Sequence, residues 1–220
     1  MQAFLGSPEL KEEVLLRIKQ DQNLDRILQE ISLWDDKLRS MWMPILHSST
    51  PHKIVESTLG IPEILSRLSG KIFEGLSLEE SRKFPLQFIQ AIPVGVSLSP
   101  VWDEFAVWLL GQAESLCCQE HVNSRKYLSN VKSLYLRRIE GGVIPMLDWT
   151  LAGTISLASA VDERDPINVA GYVAYGGCDP RAANYVAQFA ARAAYSDHAY
   201  YSKMRDQLLI SVKYHHGSTG

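Results

Sequence analysis

The sequence predicts an all-α protein: a multi-helix bundle of short proline-capped helices followed by an alanine-rich helical bundle. Three observations carry that reading. Apolar residues recur at three- and four-residue spacing along most of the chain, the period of one helix face. Ser7-Pro8, Ser99-Pro100, Asp165-Pro166 and Asp179-Pro180 each set a capping side chain before a proline. Proline suits a first helical turn because its missing N–H has no intrahelical partner there. Between residues 150 and 200 there are thirteen alanines, against four in everything before, and alanine is the best helix former.

Taken in order, Ser7-Pro8-Glu9 opens a helix whose apolar stripe is Leu10, Val14, Leu15 and Ile18. Leu24, Ile27, Leu28 and Ile31 continue at helical spacing to about Trp34. Residues 35–58 hold Pro44, Pro51 and the polar string His47 to Thr50, which predicts a loop or a broken helix. Ile61, Ile64, Leu65, Leu68 and Ile72 then share a face that ends near Gly75. Ser77 and Glu80 have capping-box spacing. Pro85 predicts a restarted helix carrying Phe88, Ile89 and Ile92, and Ile92-Pro93-Val94-Gly95 breaks it.

The strongest helix follows Pro100, with Val101, Phe105, Trp108 and Leu109 inward and Asp103 and Glu104 in its first turn. Asn123 caps the next, from Ser124 to Ile139, with Leu128, Val131, Leu134 and Tyr135 on one side, and Gly141-Gly142 ends it. Asp165-Pro166 and Asp179-Pro180 begin two more, separated by Gly176-Gly177. The last is expected to run unbroken from Pro180 to about Val212. A soft boundary near residue 141 divides a proline-punctuated region, 1–141, from an alanine-rich one, 142–220, packed together as one unit.

Composition narrows the function. Of 220 residues 46% are hydrophobic and 21% charged, the balance of a globular protein rather than a disordered one. A net charge of −3 argues against a surface built wholly for nucleic acid. Three cysteines, two of them adjacent at Cys117 and Cys118, fit a reducing cytoplasm better than a disulfide framework. No basic start followed by an apolar run marks a signal peptide. Val143–Val161 has a single charge, Asp148, but Pro145, Gly153 and several hydroxyl residues predict a buried helix there rather than a membrane span.

The wording of one block is recognisable. Leu59 to Pro62, Leu65, Arg67, Leu68, Ile72 to Leu76, Phe88, Ala91 to Gly95, Leu98, Ser99, Val101, Trp102, Phe105 and Trp108 to Leu110 resemble a family of uncharacterised proteins of bacteria and their phages. The resemblance implies no established activity. It suggests a phage or prophage accessory role in defence, anti-defence or immunity. Ser40 to Met43 stand where many relatives carry a Cys-containing phrase, so no role for those thiols carries over.

Chemistry-bearing residues are sparse. Cys117 and His121 would share a helix face and supply two of the four positions zinc needs, with His47 and His52 as the nearest further ligands. Asp197 and His198 are adjacent, which turns their side chains about 100° apart on a helix and prevents a simple carboxylate–imidazole pair. Arg125, Lys126, Lys132, Arg137 and Arg138 form a basic helix suited to tracking phosphates. Trp34, Trp42, Trp102, Trp108 and Trp149 read as core or interface anchors, and His215 and His216 as a tail.

These features favour a non-enzymatic protein that binds a protein partner or its own copies, with no cofactor and no membrane. Tyr172, Tyr175, Arg192, Tyr195, His198 and Tyr201 are the candidate contact residues, since aromatics and arginine dominate interface energetics. Two alternatives stand beside this. One is a metal-dependent hydrolase using His, Asp and Cys side chains; the other is nucleic-acid binding through the helix 124–139.

Overall fold

The computed structural model describes residues 1–23, 41–42, 52–117, 124–196 and 198–214. Among them are ten α-helices and no strand, so the all-α prediction is correct. The apolar stripe at Leu24–Trp34, most of the irregular stretch 35–51, the Asn123 cap and His215-His216 lie outside the described residues. One buried apolar cluster runs from Ala3 to Val212 and draws on every helix.

Helix α1, Pro8–Asn23, starts as expected, with Leu10 N–H donating to Ser7 Oγ at 3.1 Å. Helix α2, His52–Leu59, occupies the end of the stretch expected to be a loop or a broken helix. Val55 and Leu59 are buried one turn apart, and that pair outweighs the polar residues beside it. Helix α3, Glu63–Gly75, buries Leu65, Leu68 and Ile72.

Helix α4, Leu78–Ala91, opens with both halves of the Ser77–Glu80 capping box. Pro85 sits inside it instead of restarting it. The box starts the helix two turns earlier, and Pro85 is buried. Helix α5, Val101–Leu116, buries Val101, Trp102, Phe105, Ala106, Leu109 and Leu110. Helix α6, Ser124–Ile139, has the predicted bounds and buried face, and Gly141 follows at φ +89°.

Helix α7, Met146–Ala158, and helix α8, Ile167–Gly176, form the most extensive helix pair. α8 also touches α5, α6 and α9, Ala183–Ala193, so it is the hub of the second half. The Asp165 carboxylate starts it: Oδ1 accepts from Ile167 N–H at 3.0 Å and Ser124 Oγ–H at 2.7 Å, and Oδ2 from Val161 N–H at 3.1 Å. Three donors on a buried carboxylate offset the cost of burying it.

The long final helix does not exist as one piece. A 3-10 turn, Pro180–Ala182, leads into α9, and α10, His198–Tyr214, is separate. The chain turns at Tyr195, which has φ +49°, while Ser196 N–H donates to Ala191 O at 3.2 Å. That is a left-handed helix end in which tyrosine stands where glycine is usual. The alanine periodicity continues across the break, so spacing alone conceals it.

At the other end, residues 2–6 form a strap over α2 and the α4–α5 link. Ala3 N–H donates to Val96 O at 2.8 Å, and Gly95 N–H to Ala3 O at 2.9 Å. Phe4 and Leu5 both adopt left-handed backbone, and burial of Phe4 offsets that strain.

Candidate functional site

Beneath α7 lies a polar–aromatic knot. Trp149, on its inner face, packs on Tyr135 with ring centroids 4.6 Å apart. The Tyr135 hydroxyl accepts from Trp102 Nε1 at 2.9 Å and donates to Val173 O at 2.7 Å. Burial raises the Tyr135 pKa well above its ordinary value, so the phenol keeps its proton. Arg138 lies over both the Tyr135 and Trp149 rings, at 4.9 and 4.7 Å. Its guanidinium grips the Asp103 carboxylate in a two-point pair, with Nε at 2.8 Å from Oδ2, and donates to Gly177 O at 2.9 Å.

Two glycines make room for this knot. A Cβ on Gly176 would come within 2.3 Å of the Trp102 ring, and one on Gly177 within 2.3 Å of Trp149. The polar atoms here satisfy one another and hold α5, α6, α7 and α8 at fixed spacing. That is an anchoring role.

On its outer face α7 is different. Met146 and Leu147 are 71% exposed, Leu151 54% and Ile155 44%, with Val143 and Val161 beyond its two ends at 90% and 79%. The predicted buried helix is therefore corrected: α7 is buried on one side only. A helix apolar all round is usually enclosed. Here only the Trp149–Ala152–Gly153–Ser156 side is covered. The sole charged residue of α7, Asp148, is half-buried and lies at the edge of the exposed face, one and two turns before Leu151 and Ile155.

The hydroxyls on that outer side are satisfied within the chain. Thr150 Oγ1 donates to Met146 O at 3.0 Å, Thr154 Oγ1 and Tyr175 OH are bonded at 2.8 Å, and Ser159 Oγ donates to Ile155 O at 2.8 Å. Covering the face would strand few polar groups, so its burial carries little of the usual desolvation cost.

Of the candidate contact residues, Tyr172 is stacked between Tyr185, at 5.1 Å, and Phe189, at 4.7 Å. Arg192 lies over Phe189 and pairs with Glu163 at 2.7 Å, while Arg164 covers the exposed Tyr195 ring at 4.8 Å. Tyr172, Arg192 and Tyr195 thus belong to one neighbourhood. Tyr175 instead packs against Gly153 beside α7. His198 and Tyr201 are elsewhere again. His198 Nδ1 donates to Gly75 O at 2.8 Å, and the Tyr201 ring fills the space a Gly75 side chain would need.

Next to them, Glu80 accepts from Ser77 and Ser202 hydroxyls at 2.7 Å each and from Arg205 at 2.8 Å. These bonds hold its carboxyl down at about 2. His198, Tyr201 and Ser202 thus form a docking joint of α10 onto α3 and α4.

In the basic helix α6, Arg138 is committed to Asp103, Lys132 pairs with Glu114 at 3.0 Å, and Arg125 donates to Cys117 O at 3.2 Å. Lys126 and Arg137 make no ion pair among the described residues. Cys117 is buried with Sγ 3.6 Å from Ala113 O; Cys118, His121, His47 and Asp197 lie outside the described residues. His52 Nδ1 is 2.7 Å from Ser66 Oγ, and burial with Arg67 nearby pushes its pKa down to about 4, leaving it neutral at neutral pH. Among the described residues no three His, Cys, Asp or Glu converge on a point where a metal ion would sit. No described helix is long and apolar enough to cross a membrane.

Sequence reasoning missed the outer face of α7 as a surface. Its signal was present: an apolar helix in which the charges cease while a row of hydroxyls, Thr150 and Thr154, continues. No protein-family model, curated relative or solved structure matches this chain.

Proposed function

We propose that the chain is a non-enzymatic interaction protein whose docking surface is the outer face of α7. One observation carries this: a helix face that no described residue covers, whose central rows Leu147–Leu151–Ile155 and Thr150–Thr154–Ala158 hold no charge and whose hydroxyls are already bonded within the chain. Contiguous exposed apolar surface of this kind marks interaction sites in soluble proteins. Depletion of charge is the compositional signature of an interface core. The knot beneath supports the reading, because a rigid platform lowers the ordering cost of binding. A phage or prophage accessory setting in a reducing cytoplasm belongs to this proposal and rests on the Leu59–Leu110 wording and the cysteine usage.

Site-specific photo-crosslinking in host cells tests it. A benzophenone side chain at Leu147 or Leu151 is expected to give protein adducts, while one at the exposed Glu12 on α1 does not. Adducts no more abundant at α7 than at Glu12 would refute the reading.

A further inference from the structure

We propose that the partner on this face is a second copy of the chain, with α7 crossing α7 of the other subunit about a two-fold axis. The inference rests on the reading above and deepens it by naming the occupant. Three observations favour a copy over a different protein.

The first is shape. Leu147, Leu151 and Ile155 stand four residues apart and form one raised row. Thr150, Thr154 and Ala158, also four apart and also exposed, form a row of smaller side chains immediately beside it. A large i, i+4 ridge flanked by a shallow i, i+4 groove is its own complement: the ridge of each copy enters the groove of the other. Rows of this spacing interdigitate at an interaxial angle of about −50°, and a two-fold operator satisfies both copies with one patch.

The second is area. From the exposed fractions of Val143, Met146, Leu147, Leu151, Ile155 and Val161, the strip presents on the order of 700 Å², close to the ~800 Å² per partner of a standard stable interface.

The third is charge. On a two-fold axis a patch meets itself, so any net charge on it is doubled and repels. The ridge and groove rows of α7 carry none, and its one charge, Asp148, lies at the rim on the side of the ridge away from the groove. The segments that flank it hold both signs: Arg137 and Glu140 before the helix, Asp162, Glu163 and Arg164 after it. Nothing on this face calls for a partner of opposite sign.

Analytical ultracentrifugation of the purified protein tests the proposal. The wild type is expected to sediment as a dimer that dissociates at micromolar concentration. Leu151→Glu, which blunts the ridge, and Ala158→Arg, which fills the groove, are each expected to weaken the dimer at least about a hundredfold, about 2.8 kcal/mol at 1.4 kcal/mol per tenfold. Both positions are exposed, and unchanged circular dichroism melting of the dilute variants confirms that they fold.

A wild type that stays monomeric to about 300 μM, well above the micromolar range of specific association, overturns the proposal. So does a dimer that tolerates both substitutions. Self-pairing and the broader reading fail separately. Adducts from Leu151 to a different protein, with a monomeric wild type, remove the copy and leave the docking surface; absence of any α7 adduct removes both.

Discussion

Arg138→Met is expected to lower folding stability by about 2–3 kcal/mol, at or below the lower end of the usual loss when one partner of a buried ion pair is removed, since the Arg138 side chain is 27% exposed. The substitution keeps the aliphatic stem over Tyr135 and Trp149, so packing is largely preserved. What is lost is the cation for Asp103 and the donor to Gly177 O. The loss should depend on pH. Desolvation already raises the Asp103 pKa above its ordinary value, and the Arg138 bonds and charge oppose that rise.

A carboxyl whose folded pKa exceeds its unfolded value favours the folded state most when protonated. Its contribution falls as pH rises through the unfolded and then the folded value. Without Arg138 the folded value goes higher still. The deficit of the variant is therefore smallest at acid pH and widens towards neutrality. Urea unfolding at a series of pH values checks this. Arg138→Met combined with Asp103→Leu should recover more than half the loss, since it removes the stranded charge. A deficit independent of pH, or no recovery, would mean that the pair is not what holds α5 to α6.

Gly60→Ala is the second large effect, expected to cost about 2–5 kcal/mol from left-handed backbone and overpacking together. Gly60 has φ +67°, and a Cβ there would lie 2.0 Å from the Gln2 carbonyl oxygen. The atom it meets is backbone, so no rotamer change relieves the contact. The strap would have to lift, taking Phe4 out of the core and freeing Val96 O. Faster hydrogen exchange of the Ala3 and Gly95 amides, alongside the lower urea midpoint, is the expected signature. Normal protection of both amides would show that the strap does not depend on the close approach at Gly60.

Most of the fold was legible because its helices announce themselves by caps. Ser7, the Ser77–Glu80 box, Asp179 and Gly141 act locally, through bonds to residues two or three positions away, while Asp165 adds a distant bond to Ser124 and no side chain caps the helix after Pro100. Failures arose where a stronger local signal or a tertiary contact overrode the one that was read. Pro85 looked like a start because proline in a helix interior is costly, and the capping box before it settles the matter. Tyr195 looked helical because the alanines around it are, and the turn there rests on a left-handed tyrosine braced by Arg164.

The candidate site was hardly legible. The knot of Trp102, Asp103, Tyr135, Arg138 and Trp149 joins residues up to 47 positions apart, with no spacing that announces it. In α7 the composition was read correctly as apolar. It was assigned to the interior because hydropathy records what a helix would bury and not whether its own chain supplies the cover.

The central claim is that the outer face of α7 serves association and not the fold of its own chain. The melting temperature of Leu147→Glu/Leu151→Glu, measured in dilute solution where subunits are separate, tests that most directly. The account predicts melting within about 2 °C of wild type, as for surface substitutions. A drop of about 10 °C or more, the size expected when core side chains are lost, would contradict it.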